Sequence, residues 1–153
     1  MFVLIADDES PKLDSITIAM RDFLPSAEFG FARSVRAALA AVQRRHVDLL
    51  ILDMSLPTFD VAPGEQGGRP QGFGGVEVLR YLDFYSLQCP VVVVTQYEAF
   101  LDKGKHVDLS ALAQRLAVEH PKSFREIIYY GGGSDELWKR KLEAAIARIV
   151  RQV

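Results

Sequence analysis

Short apolar runs rich in β-branched residues alternate along the chain with longer stretches whose apolar residues recur every three or four positions. The first run, Phe2-Val3-Leu4-Ile5-Ala6, predicts a strand that ends at Asp7-Asp8-Glu9. Ser10-Pro11 then predicts a helix start, with Ser10 as cap and Pro11 in the first helical position, where its missing N–H costs nothing. Leu13, Ile16, Met20 and Phe23 follow at helical spacing, and Pro25 marks the stop. Glu28-Phe29-Gly30-Phe31 predicts a weaker second strand, and Ser34 caps a helix expected to bury Val35, Ala38, Leu39 and Val42. Val47-Asp48-Leu49-Leu50-Ile51-Leu52 is a nearly continuous apolar run, as expected of a strand covered on both faces. A fourth strand over residues 91–94 ends at Thr95, and a fifth covers residues 126–130. Leu109, Leu112 and Leu116 predict a short helix between 108 and 119. A last helix starts near Ser134, with Asp135 and Glu136 in its first turn and Leu137, Leu142, Ile146 and Ile149 buried. Such alternation predicts βαβ units around a parallel sheet.

Two stretches break the rhythm. Residues 57–75 are rich in Gly and Pro and read as a long exposed loop, a kind of segment that is often functional. Residues 96–123 exceed what a strand-to-helix connection needs. Neither reads as a linker, because strands on both sides are required to complete one sheet, so residues 1–153 are expected to form one domain with inserts at about 58–74 and 96–123.

With 18 Lys and Arg against 20 Asp and Glu, the net charge is −2. A chain so balanced has no bulk attraction for nucleic acid or for an anionic membrane surface. Its apolar runs fall far short of the ~20 residues that a membrane helix needs. Asp7 and Asp8 interrupt the first apolar run, so no signal peptide is visible, and the single cysteine, Cys89, has no internal disulfide partner. Both features fit a cytoplasmic location. Cys89 is expected to be a small buried hydrophobe and Trp138 a packing residue. His46, His106 and His120 are scattered at no metal-binding spacing and are expected at the surface. Gly131-Gly132-Gly133 lacks the Lys-Ser/Thr of a phosphate loop and reads as a turn.

Candidate chemistry lies at the strand ends. In an open parallel sheet, ligands bind beyond the carboxyl ends of the strands, near the switch in strand order. Asp7 and Asp8 follow the first strand, Asp53 the third, and Thr95 ends the fourth. If the first and third strands are neighbours, three carboxylates converge, and a divalent cation relieves their repulsion. Hard oxygen donors with room for water suit Mg²⁺. A carboxylate beside Mg²⁺ can attack a phosphoryl group and form an aspartyl phosphate.

These residues, in this order, resemble the receiver domains of bacterial two-component response regulators. The resemblance rests on Phe2-Val3-Leu4-Ile5-Ala6-Asp7-Asp8-Glu9, on the run from Val47 through Asp53-Met54-Ser55-Leu56-Pro57, on Gly75-Val76-Glu77-Val78-Leu79, and on Pro90-Val91-Val92-Val93-Val94-Thr95. It covers most of the chain outside the two inserts. It implies an α/β fold of flavodoxin-like type, a doubly wound five-stranded parallel sheet with helices on both faces. It also implies Asp53 as phosphoacceptor and Asp8 as the main metal ligand, with Asp7 in support. The Ser55 carbonyl would complete the metal set, and the Thr95 hydroxyl would bond a phosphoryl oxygen. The implied partners are a histidine kinase or phosphotransfer protein upstream and another protein downstream, since the last helix reaches the end of the sequence and leaves output to protein–protein contact.

One departure stands out. Receivers carry a lysine at the end of the fifth strand, and the equivalent position here is Tyr130 or close to it. A tyrosine hydroxyl cannot supply the positive charge, and loss of one charge-assisted contact costs about 1.5–3 kcal/mol. Lys103 and Lys105, in the second insert, are the candidate substitutes. The family's aromatic switch position falls near Ile127, with Tyr129 as a displaced version. The alternative reading is a degenerate pseudo-receiver that is not phosphorylated and acts as an interaction module. A phosphatase with an aspartyl nucleophile would need a second acid two residues after Asp53, where Ser55 stands.

Overall fold

Local sequence sets the order of elements along the chain. The computed structural model describes residues 1–60, 74–102, 104–132 and 134–152. The elements run β1 (Phe2–Ala6), α1 (Ser10–Phe23), β2 (Glu28–Ala32), α2 (Val35–Arg44), β3 (Leu49–Leu52), α3 (Gly74–Phe84), β4 (Val91–Thr95), β5 (Ala99–Asp102), β6 (Lys105–Asp108), α4 (Leu109–Glu119), β7 (Phe124–Tyr129) and α5 (Leu137–Arg151). Five strands form a sheet in the order β2-β1-β3-β4-β7. All four pairings are parallel. The fold is therefore the flavodoxin-like α/β sandwich that the residue pattern and the resemblance implied.

Alternation along each strand divides the core. Leu4, Leu50, Leu52, Val91 and Val93 face α2, α3 and α4, which contribute Val35, Ala38, Leu79, Leu82, Leu112 and Leu116. Val3, Ile5, Leu49, Ile51, Val92 and Val94 face α1 and α5, which contribute Ile16, Met20, Trp138, Leu142 and Ile146. Since β1, β3 and β4 are fully buried, both sheet faces are dry. That explains their lack of polar alternation.

The structure corrects several local expectations. Ser10 lies inside α1 instead of capping it, and Glu9 occupies the cap position without a side-chain bond. The Ser10 hydroxyl instead accepts from Arg33, whose guanidinium also donates to the Asp8 carbonyl. By contrast Ser34 does cap α2, accepting from the Ala37 N–H at 3.0 Å. Leu137 is exposed, and the buried stripe of α5 starts instead at Trp138. His120 is buried at the end of α4, where its Nδ1 meets the Asp83 carboxylate at the end of α3, whereas His46 is exposed as expected. His106 is a strand residue of β6, and its side chain lies outside the description.

The second insert has structure of its own. β5 and β6 pair as an antiparallel hairpin between β4 and α4, turning at Gly104, whose φ of +79° suits a glycine. Asp108 then caps α4 by accepting from the Ala111 N–H at 2.8 Å. Most of the first insert, residues 61–73, lies outside the described residues.

Cys89 is buried before β4, as expected, and burial pushes its thiol up to about 12. A thiol with so high a value holds almost no thiolate below pH 9, and thiolate is the reactive form. In native protein, iodoacetamide is expected to leave Cys89 unmodified at pH 8 over the hour that completes alkylation in urea. Mass spectrometry of the two samples checks this.

Candidate functional site

Parallel pairing of β1 with β3 sets Ala6 opposite Leu52, so Asp7 and Asp53 leave the sheet side by side. The Asp53 N–H donates to the Ala6 carbonyl at 2.9 Å, and the Asp7 N–H donates to the Ala32 carbonyl at 2.9 Å. β1 has β2 on one side and β3 on the other, so this is where the strand order reverses and a crevice opens. Carboxylate oxygens of Asp7, Asp8 and Asp53 all lie within 4.8 Å of one another. Asp7 and Asp53 are buried, whereas Asp8 is partly exposed and forms the solvent side of the cluster.

Each buried acid is oriented by the backbone that follows it. Asp7 Oδ1 accepts from the Glu9 N–H at 2.9 Å, and Asp53 Oδ1 accepts from the Ser55 N–H at 3.3 Å. The loop behind Asp53 is pinned from two sides. The α2 N-terminus donates to its carbonyls, Val35 to Pro57 and Arg36 to Thr58. α3 presses on it through Gly75, where a Cβ would lie 2.9 Å from the Asp53 carbonyl oxygen. Crowding shows in the acidities. Burial raises the Asp53 carboxyl to about 6; Lys12 opposes the rise and Asp7 adds to it. Burial and then the Asp7 charge raise Asp8.

Sequence reasoning missed a fourth member. Lys12, in the first turn of α1, is 1% exposed, with its Nζ 2.8 Å from Asp7 Oδ2 and 3.3 Å from Asp53 Oδ1. At these distances the ammonium forms an ion pair with both carboxylates. Burial lowers its pKa, but the Asp53 and Asp7 charges outweigh that and raise it above the ordinary lysine value, which keeps the ammonium charged. The signal was present in the sequence. Lys12 stands four residues before Ile16 and eight before Met20, on the stripe that α1 buries. A lysine on such a stripe needs a carboxylate within reach.

Of the two candidate substitutes, only Lys105 falls among the described residues. Lys105 lies exposed on β6, and Lys103 is outside the described residues. Tyr130 is buried with its ring 5.0 Å from that of Trp138, among the residues that pack on α5. At the sheet's far side Thr95 is fully buried, and its hydroxyl accepts from the Tyr97 N–H at 3.3 Å. Its register partner is Tyr129, which is 38% exposed. The Ser55 hydroxyl is buried and has no hydrogen-bond partner among the described residues.

The parallel sheet carries acids at the ends of β1 and β3 and a threonine at the end of β4, the arrangement that the resemblance to response-regulator receiver domains implied. No family model matches the chain. It is 27% identical over 157 aligned residues to the Detocs response regulatory protein DtcB of Enterobacter cloacae, an alignment that takes in 97% of this chain and 100% of that protein. A response regulator receiver domain protein from Clostridium thermocellum superposes with a TM-score of 0.64 at 18% identity, over 99% of this chain and 94% of the other. The response regulator TrrA of Thermotoga maritima, solved in complex with Mg²⁺ and BeF, superposes at 0.56 with 19% identity, over 94% and 97% of the two chains. These two structural likenesses concern the fold. Among the described residues, no helix is long and apolar enough to cross a membrane.

Proposed function

We propose that this receiver domain accepts a phosphoryl group on Asp53 with the help of Mg²⁺ and signals through protein–protein contact. The observation that carries the proposal is the convergence of three carboxylates within 4.8 Å, with one of them open to solvent. An all-oxygen donor set with a solvent side fits Mg²⁺, which keeps several waters when bound. Asp8, Asp53 and the Ser55 carbonyl would hold the ion, with Asp7 in support. The ion would neutralise charge on the incoming phosphoryl group.

The chain's own residues do the rest. An oxygen of Asp53 attacks phosphorus, and the bond from phosphorus to the donor breaks. The leaving group departs with the electron pair: acetate from acetyl phosphate, or an imidazole from the phosphohistidine of a kinase or phosphotransfer protein. The Thr95 hydroxyl exchanges its Tyr97 contact for a phosphoryl oxygen. That exchange would move the start of the β5–β6 segment, which offers the downstream partner a changed surface. The Ser55 hydroxyl is a poor general acid, so the domain is read as a phosphoacceptor without turnover of other substrates. A cytoplasmic location follows from this reading.

Intact-mass spectrometry after incubation with acetyl phosphate tests the proposal. A single phosphate adduct is expected with Mg²⁺, and none when excess EDTA is present. An unmodified mass at high Mg²⁺ and high acetyl phosphate would instead favour the pseudo-receiver reading.

A further inference from the structure

Lys12 is an unusual residue for its position on two grounds. A cation in the first turn of a helix opposes the helix dipole. This one also lies on the buried stripe of α1, at 1% exposure, where an apolar residue belongs. Asp7 and Asp53 are what hold it there, since a buried ammonium persists only when paired. Meanwhile the end of β7 offers no cation, because Tyr130 turns into the apolar cluster with Trp138.

We propose that Lys12 is the cation of the phosphoryl site, delivered by helix α1 instead of by the last strand of the sheet. This inference rests on the phosphoacceptor reading given above. At rest the ammonium bridges Asp7 and Asp53. Its contact with Asp53 and that of the Ser55 amide both fall on Oδ1, which assigns the attack on phosphorus to Oδ2. When Oδ2 bonds to phosphorus and the donor leaves with its electron pair, Asp53 loses its own charge and the phosphoryl oxygens carry the negative charge instead. The ammonium then shifts to a phosphoryl oxygen while keeping Asp7. A preorganised charge of this kind stabilises the transition state more than the resting state.

The proposal also predicts a competition. An ammonium already bridging two of the three acids opposes a second cation there, so removing it should tighten Mg²⁺ binding while slowing phosphorylation. A variant that merely misfolds would lose both.

The test compares wild-type protein with Lys12→Met, which suits the buried stripe, and with Lys12→Gln. Adduct formation from acetyl phosphate at saturating Mg²⁺ is followed by intact mass, Mg²⁺ affinity by calorimetry without a phosphodonor, and folding by thermal melting. Expected in both variants are phosphorylation at least tenfold slower, the scale of one lost contact to a charged group, and Mg²⁺ affinity equal to or tighter than wild type. Wild-type phosphorylation rates in both variants would overturn the role of Lys12 and leave the phosphoacceptor reading standing. Slower phosphorylation accompanied by weaker Mg²⁺ binding and a lower melting point in both would assign Lys12 a structural role and overturn the proposal. Absence of any adduct on the wild-type protein would overturn the phosphoacceptor reading, and the role of Lys12 with it.

Discussion

Asp53→Asn takes up no phosphate from acetyl phosphate and Mg²⁺ under conditions that fully modify the wild-type protein. The amide has the shape of the carboxylate but lacks a nucleophilic oxygen, and the reaction needs that atom. Loss of the adduct should be complete, whereas loss of the fold should not. Two effects on stability oppose each other. The folded Asp53 carboxyl is raised from 3.8 to about 6. Its contribution therefore favours the fold below the unfolded value and is lost as pH rises through about 6, so at neutral pH the ionised acid burdens the fold. Asparagine removes that burden but leaves Lys12 with Asp7 alone. The melting temperature of the variant is expected within about 4 °C of wild type, the shift produced by roughly 1 kcal/mol in a chain of this size. Intact mass and a melting curve on the same sample separate a lost nucleophile from a lost fold. A phosphate adduct persisting on Asp53→Asn would place the acceptor elsewhere.

Trp138→Ala is expected to destabilise the fold strongly. The indole is fully buried between α5 and the sheet, lies against Tyr130, and donates from Nε1 to the Gly132 carbonyl at 2.9 Å. Truncation leaves a cavity and frees that carbonyl, a loss of about 3–5 kcal/mol. Against a total stability of ~5–15 kcal/mol this is a large share. In urea the unfolding midpoint should drop with little change in slope. Because the Tyr130 N–H donates to the Thr95 carbonyl at 2.7 Å, loosening the end of β7 also reaches the phosphoryl site. Phosphorylation of the folded fraction should slow as well. A midpoint unchanged from wild type would show that the indole is not a structural anchor.

The sheet was legible because its strands are nearly pure apolar runs and the ends of β1, β3 and β4 are punctuated by Asp7, Asp53 and Thr95. Asp7, Asp8, Asp53 and Thr95 all follow from that punctuation. The hairpin β5–β6 was not legible, since its two four-residue strands lie in a segment of mixed polarity and pair with each other outside the main sheet. His120 was misjudged because its partner, Asp83, is 37 residues away in sequence. Leu137 and Trp138 are adjacent, so a shift of one residue in the helical stripe decides which is buried. Lys12 escaped notice for a different reason. The resemblance places the cation at the end of the last strand, whereas the fold brings one in from the opposite direction, from the helix that begins just after the first two acids.

A crystal structure with Mg²⁺ and beryllofluoride tests most directly whether the three acids form a phosphoryl site. The expected result is one ion liganded by Asp8, Asp53 and the Ser55 carbonyl. Beryllofluoride should sit on Asp53, with the Thr95 hydroxyl and the Lys12 ammonium each on a fluoride. Crystals grown at saturating Mg²⁺ and beryllofluoride that show no ion among the acids, with Lys12 still spanning Asp7 and Asp53, would contradict it.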